Sequence, residues 1–171
     1  MDSGYFIILR GPLGCGKSTI ARKLVDVLDA EYVDMDKVLQ EQSLDKVDEK
    51  EGCIPAKNFI KANSVIIPWV KDKLQSGKIV VLDACFYHKE VINDLVQRLP
   101  YPHCGFTLKA PLEVCIERDS KRKKSYGEGA ATAVHSLVSK FDYGTVIDVT
   151  KPLNEVMKDI LSCLPSASKK K

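Results

Sequence analysis

The chain has no apolar run approaching the ~18 residues that a membrane span requires, and no signal peptide is expected before its first apolar segment. A cytoplasmic protein without membrane partners is expected. There is no C-x-x-C pair, since the six cysteines stand at 15, 53, 85, 104, 115 and 163. That spacing argues against a zinc site, and most of them sit in apolar segments, as reduced thiols do. A formal charge of +3 is too small to announce a nucleic-acid surface, and neither supports nor excludes one. An Asn-Lys-x-Asp guanine motif is missing, which argues against a GTPase switch, and so is any Ser-His-Asp or Cys-His pattern. Repeats and low-complexity linkers are absent too. With 44% hydrophobic and 29% charged residues, 171 residues suit one domain with a real core.

What is present is concentrated near the N-terminus. Gly11-Pro12-Leu13-Gly14-Cys15-Gly16-Lys17-Ser18 fits G-x-x-x-x-G-K-[ST] in full. The apolar segment Tyr5–Leu9 before it reads as a buried strand. Ile20, Ala21, Leu24, Val25 and Leu28 after it recur at helical intervals. Strand, glycine loop and helix together form the context of a phosphate-binding loop. Its backbone N–H groups turn inward around an anion, and the helix N-terminus adds its dipole. Residues Gly11 to Thr19 are therefore expected to hold a nucleoside triphosphate. Lys17 would reach the β- and γ-phosphates, and the Ser18 hydroxyl would ligate Mg²⁺.

The rest of the chain alternates between strand and helix patterns. Short apolar strands are expected at Glu31–Asp34, Ile79–Asp83, Gly105–Leu108 and Val146–Val149. Helices are expected from Pro55 to Leu74, kinked at Pro68, from His88 to Leu99 and from Asn154 to Leu164. The charged stretch Lys37–Lys50 reads as a helix opening into a mobile loop near Gly52. Val- and Ile-rich strands separated by helices imply a parallel sheet covered on both faces, an α/β three-layer domain over residues 1–165. Residues 166–171 read as a frayed basic tail.

In such sheets ligands sit beyond the carboxyl ends of the strands. Asp83 ends an apolar strand there and could hold Mg²⁺ through water, and Asp34 could join that shell. Asp36, two residues on, could accept a proton from an acceptor hydroxyl, although capping of the next helix would also explain an Asp at that place. The basic segment Arg118–Lys124, before Gly127 and Gly129, suits a lid over about residues 118–130, with Arg122 on the phosphates. Acceptor contacts are sought in the helical segment 37–75 and after Asp83. Lys57 and Lys61 lie one turn apart and could meet an acidic group. Asn58 and Asn63 could bind hydroxyls, and Tyr87 and His88 could line the cleft. Each is also an ordinary surface residue until shown otherwise.

The whole chain resembles a small P-loop kinase of the nucleoside-monophosphate-kinase type, the group with shikimate, gluconate and adenylylsulfate kinases. The spacing from Lys17 to Asp34 and Asp36 is similar to the phosphate loop and D-x-D pair of shikimate kinases. That resemblance implies that Asp34 sits near the magnesium and Asp36 at the acceptor hydroxyl. Ala110 to Asp119 is similar to the stretch entering the lid of adenylylsulfate kinases. There it implies Arg118 beside the adenine, with Thr150, Lys151 and Pro152 bordering the base. The group's sheet order, 2-3-1-4-5, is expected. Shikimate kinases hold an anionic acid with arginines on the acceptor side, whereas this chain has no arginine between Arg22 and Arg98.

The leading expectation is an Mg²⁺- and ATP-dependent kinase of a small-molecule alcohol, monomeric or homodimeric. A polynucleotide or nucleotide kinase is a second reading, and a regulatory P-loop NTPase without an acceptor a third. The Asp34/Asp36 pair with a lid favours transfer, because a switch needs no acceptor-side base.

Overall fold

The computed structural model describes residues 3–165, so the expected 166–171 tail lies outside the described residues. The elements, in order, are β1 (Phe6–Arg10), α1 (Lys17–Leu28), β2 (Glu31–Asp34), α2 (Met35–Glu41), α3 (Ala56–Gln75) and β3 (Val80–Ala84). They continue with α4 (Lys89–Arg98), β4 (His103–Lys109), α5 (Leu112–Ser120), α6 (Glu128–Val138), β5 (Thr145–Asp148) and α7 (Leu153–Ser162). The five strands form one parallel sheet in the order β2-β3-β1-β4-β5.

Strand alternation builds two cores, one on each face of the sheet. Phe6 and Ile8 of β1, with Val80 and Leu82 of β3, pack against Phe59, Ile66 and Val70 of α3 and Ile92 and Leu95 of α4. Ile7 and Leu9, with Val81, face Ile20 and Leu24 of α1 and Val156 and Ile160 of α7. All five β1 residues are buried. Sandwiched between helices, these strands read as continuous apolar runs rather than alternating ones.

Register fixes the position of the site. Leu9 pairs with Asp83 across β1 and β3, and Asp34 pairs with Asp83 across β2 and β3. Both carboxylates therefore stand at the carboxyl edge, beside the loop that leaves β1. Helix α3 runs unbroken through Pro68. Pro68 and Ser64, the residue whose carbonyl loses its partner, are both exposed, so water can take up the orphaned acceptor. The charged stretch after β2 is helical only over Met35–Glu41, and Asp48 then bridges to Cys53. Helix α6, which has no counterpart in the sequence expectations, follows the basic segment and packs against α5.

A buried arginine anchors that addition. Arg10, the last residue of β1, donates from Nε to Phe86 O (3.2 Å) and from Nη1 to Thr107 Oγ1 (3.1 Å) and Phe141 O (2.8 Å). Its Nη2 donates to Val138 O at 3.0 Å, and the guanidinium lies 4.2 Å from the Phe141 ring centroid. The end of α6 and the loop after it are thereby tied to the sheet edge. Burial lowers the Arg10 pKa to about 10, opposed by Asp142 and Cys85, so the group remains charged at neutral pH. Arg10→Met keeps the bulk but leaves three buried carbonyls without this donor. It should cost on the order of 3 kcal/mol in urea denaturation. A loss under about 1 kcal/mol would show that water or relaxation replaces the guanidinium.

Candidate active site

The loop between β1 and α1 is shaped by two glycines with positive φ, Gly14 at 79° and Gly16 at 90°. Their requirements differ. A Cβ on Gly14 would overlap the Cys115 carbonyl of α5, whereas one on Gly16 would meet nothing within 4 Å. Gly16 also stands at the N-cap of α1 and makes no side-chain cap, which leaves the first amides of the helix free to face an anion. Gly14, Gly16, Lys17, Ser18 and Thr19 line a cavity of about 270 Å³ together with Arg118 and Arg122. Pro12 and Cys15 are buried in the same loop, and Gly11 starts it. Burial raises the Cys15 thiol pKa, which keeps it protonated.

Lys17 is almost fully buried, with Nζ 3.8 Å from Asp83 Oδ1. Burial works against its charge, but the carboxylates Asp83 and Asp36 oppose it, and the pKa is held well above the usual lysine value. The second Asp83 oxygen accepts from Tyr32 Oη at 2.5 Å. Burial and this hydrogen bond push the Tyr32 pKa up. Tyr32, one strand away, is a residue that sequence reasoning missed. The signal available was its position two residues before Asp34 on an expected strand, which puts both on one face.

Asp34 is the N-cap of α2, its Oδ1 accepting from the amides of Asp36 (3.1 Å) and Lys37 (3.3 Å). Capping thus falls to Asp34, and Asp36 lies inside the first helical turn. The chain leaves extended geometry after Asp34, so the helix rather than strand alternation aims Asp36. Burial raises the Asp36 pKa, with Lys17 opposing and Asp34 and Asp83 reinforcing the shift. Asp36 lines a second cavity, of about 320 Å³, whose walls include Phe59, Cys85, Tyr87 and Tyr126.

The lid region is ordered by another buried carboxylate. Asp119, at the end of α5, accepts from Ser125 Oγ (2.7 Å) and from the amides of Tyr126 (3.1 Å) and Gly127 (3.2 Å). Arg122 lies 4.0 Å from Asp119 and over the Tyr126 ring at 5.7 Å, beside the phosphate loop. Arg118 donates to Cys15 O (3.1 Å) and Val149 O (2.9 Å), bridging the phosphate loop to the end of β5. There a shallow recess is lined by Thr19, Arg118, Val149 and Lys151. Lys151 is paired with Asp159 at 3.2 Å, and Pro152 caps α7.

Other expected acceptor contacts are not brought together. Lys57 and Lys61 are exposed and line an outer groove with Lys46 and Lys50, apart from the cavity that holds Asp36. Helical phase explains this, because Phe59, Ala62 and Ile66 take the inward face of α3. Asn63 is buried and donates to Val91 O and Asp94 Oδ2, a link between α3 and α4. Asn58 donates to Leu44 O. Tyr87 lines the Asp36 cavity, its hydroxyl accepting from the Ile54 amide at 3.0 Å. His88 instead turns its Nε2 to Ile54 O at 2.8 Å. Glu51, Cys53 and His88 converge within 4.8 Å, but that backbone bond already occupies the imidazole nitrogen.

A model described as an AAA domain matches residues 6–141. The chain belongs to that family of P-loop kinases. It is 45% identical over 160 residues to a shikimate kinase of Actinobacillus pleuropneumoniae serotype 5b, covering 90% of this chain and 83% of the relative. A sugar kinase from Janibacter shares the fold at TM-score 0.74 and 17% identity, covering 99% of both chains. A gluconokinase from Sinorhizobium meliloti does so at TM-score 0.70 and 15% identity, over 94% of this chain and 91% of that one. The protein is a nucleotide-binding phosphotransferase acting on a hydroxyl group. Among the described residues no helix is long and apolar enough to cross a membrane.

The two glycines offer a test of the loop. Gly16→Ala meets only the cost of its backbone conformation, about 1–2 kcal/mol. Gly14→Ala adds a collision with the α5 backbone and should destabilise by clearly more in thermal denaturation. Equal effects would mean that α5 does not hold the loop.

Proposed function

We propose that the protein transfers the γ-phosphoryl group of ATP to the hydroxyl of a small-molecule acceptor. The supporting observation is the place of Asp36, which lines the acceptor-sized cavity while interacting electrostatically with Lys17 and Arg122 of the phosphate cavity. A group at that junction can touch an acceptor hydroxyl while the phosphates lie against the loop. Transfer without an acceptor would make no use of the second cavity, which weighs against a regulatory NTPase.

The roles follow from position. Gly11 to Thr19 cradle the phosphates, and Lys17 neutralises charge on the transferring group. Arg122 approaches from the lid. Arg118, Lys151 and Pro152 border the nucleotide at the end of β5. Asp36 holds the acceptor hydroxyl and takes its proton. Its raised pKa brings its proton affinity nearer to what a working base needs, while Lys17 limits the rise.

Mg²⁺ fits the oxygens present. Ser18, Asp83 and Asp34 are hard donors at one edge of the sheet, and Mg²⁺ keeps several waters rather than demanding an all-protein cage. Asp83 already faces Lys17 and Tyr32, which suits contact through water. When bound there, the ion would offset negative charge on the phosphates.

Asp36→Asn tests the assignment. Phosphoryl transfer should fall by about 10²–10⁴-fold while ATP affinity holds. Loss of ATP affinity instead would move Asp36 to the nucleotide side. The same variant should be more stable than wild type at pH 7. A carboxylate whose folded pKa is raised costs stability above that pKa, and the cost vanishes as pH falls below the unfolded value near 3.8. The difference in Tm should therefore shrink on acidification, and a gap that widens toward acid would contradict the buried-carboxylate account. Lys17→Ala should lower turnover by at least about 10²-fold, and near wild-type activity would sink the phosphate-loop assignment.

A further inference from the structure

The chamber around Asp36 limits what the acceptor can be. Phe59, Tyr87 and Tyr126 give it aromatic walls, and Leu13, Leu39 and Val134 aliphatic ones. Its charged lining groups are Asp36 and Asp45, and among the described residues no lysine or arginine lines it. The nearby cations are committed elsewhere. Lys17 and Arg122 line the phosphate cavity, while Lys57 and Lys61 line the outer groove.

Resting on the kinase reading above, we propose that the chamber takes an alcohol carried on an uncharged, largely apolar body, with no carboxylate or phosphate. An anionic group placed there would give up hydration beside two carboxylates and find no cation in the lining. A ring or alkyl body would instead gain from contact with the aromatic and aliphatic walls. The hydroxyl would lie toward Asp36, which lines the chamber and also interacts electrostatically with Lys17 and Arg122 of the phosphate cavity.

The absence of a cation separates this chamber from one built for the substrate named by its shikimate kinase relative, an anionic acid. That relationship supplies a matched pair, since shikimate and methyl shikimate share ring and hydroxyls and differ in charge. A second pair is 4-(hydroxymethyl)benzoate and its methyl ester. Binding of each is measured by calorimetry on the full chain with Mg²⁺ and a non-hydrolysable ATP analogue, and phosphoryl transfer from ATP is followed in parallel.

In each pair the ester should bind at least about tenfold more tightly than the acid. Ala133→Arg places a guanidinium in the chamber wall from an exposed position on α6, and should narrow or reverse that preference. Tighter binding of the acids by wild type, or no binding of either ester at millimolar concentration, overturns the proposal. Ester binding without phosphoryl transfer to any acceptor would support the ligand chemistry and count against the kinase reading, which keeps the two failures apart.

Discussion

A positive charge held at the carboxyl edge of the sheet, with carboxylates gathered around it, is the constraint on which the site depends. Lys17 begins α1, Asp83 is the next-to-last residue of β3, and strand register brings Asp34 level with Asp83. None of these charges would be tolerated alone at such burial. Lys17 keeps its proton because Asp83 and its neighbours outweigh the loss of water. Tyr32 satisfies the remaining Asp83 oxygen and holds the carboxylate in place. The arrangement is ready for an incoming polyphosphate, whose negative charge can share the ammonium without any new group being buried.

Two further buried charges position the segment from Asp119 to Phe141 beside the site. Arg10 gathers carbonyls from α6, from the loop beyond it and from the Phe86 turn, where the backbone adopts a positive φ of 45°. Asp119 gathers the Ser125–Gly127 segment. Together they carry Tyr126 and the inner face of α6 onto the acceptor chamber. The cavity at the phosphate loop is thereby joined to the Asp36 cavity, whose wall includes Tyr126 and Val134.

The local parts of this arrangement were legible in the amino-acid pattern. The glycine loop declares itself because its chemistry is contiguous, and the apolar strands between helices imply a parallel sheet, whose order was implied by the resemblance to small P-loop kinases. Glu31–Asp34 was delimited to the residue because a short β-rich run ends in a helix-starting acid. What escaped depends on contacts distant in sequence. Helix α6 is masked by the basic segment before it, although Ala131, Val134 and Val138 do recur at helical spacing. Arg10 looks like the end of a strand until its partners, around a hundred residues away, are placed. Lys57 and Lys61 looked inward only while the face of α3 was unassigned, and the apolar residues of that helix decide the matter. The cap of α2 was expected at Asp36, but the structure gives it to Asp34.

The most direct measurement of the central claim follows the fate of the γ-phosphate. ATP labelled at that group, Mg²⁺ and the full chain are incubated with uncharged alcohols, anionic sugar acids, nucleotides and 5′-hydroxyl oligonucleotides, and the products are separated. The account predicts label on the oxygen of an uncharged small alcohol, in proportion to ATP consumed, with inorganic phosphate a minor product. Label released only as inorganic phosphate, at a rate indifferent to every acceptor, would contradict it.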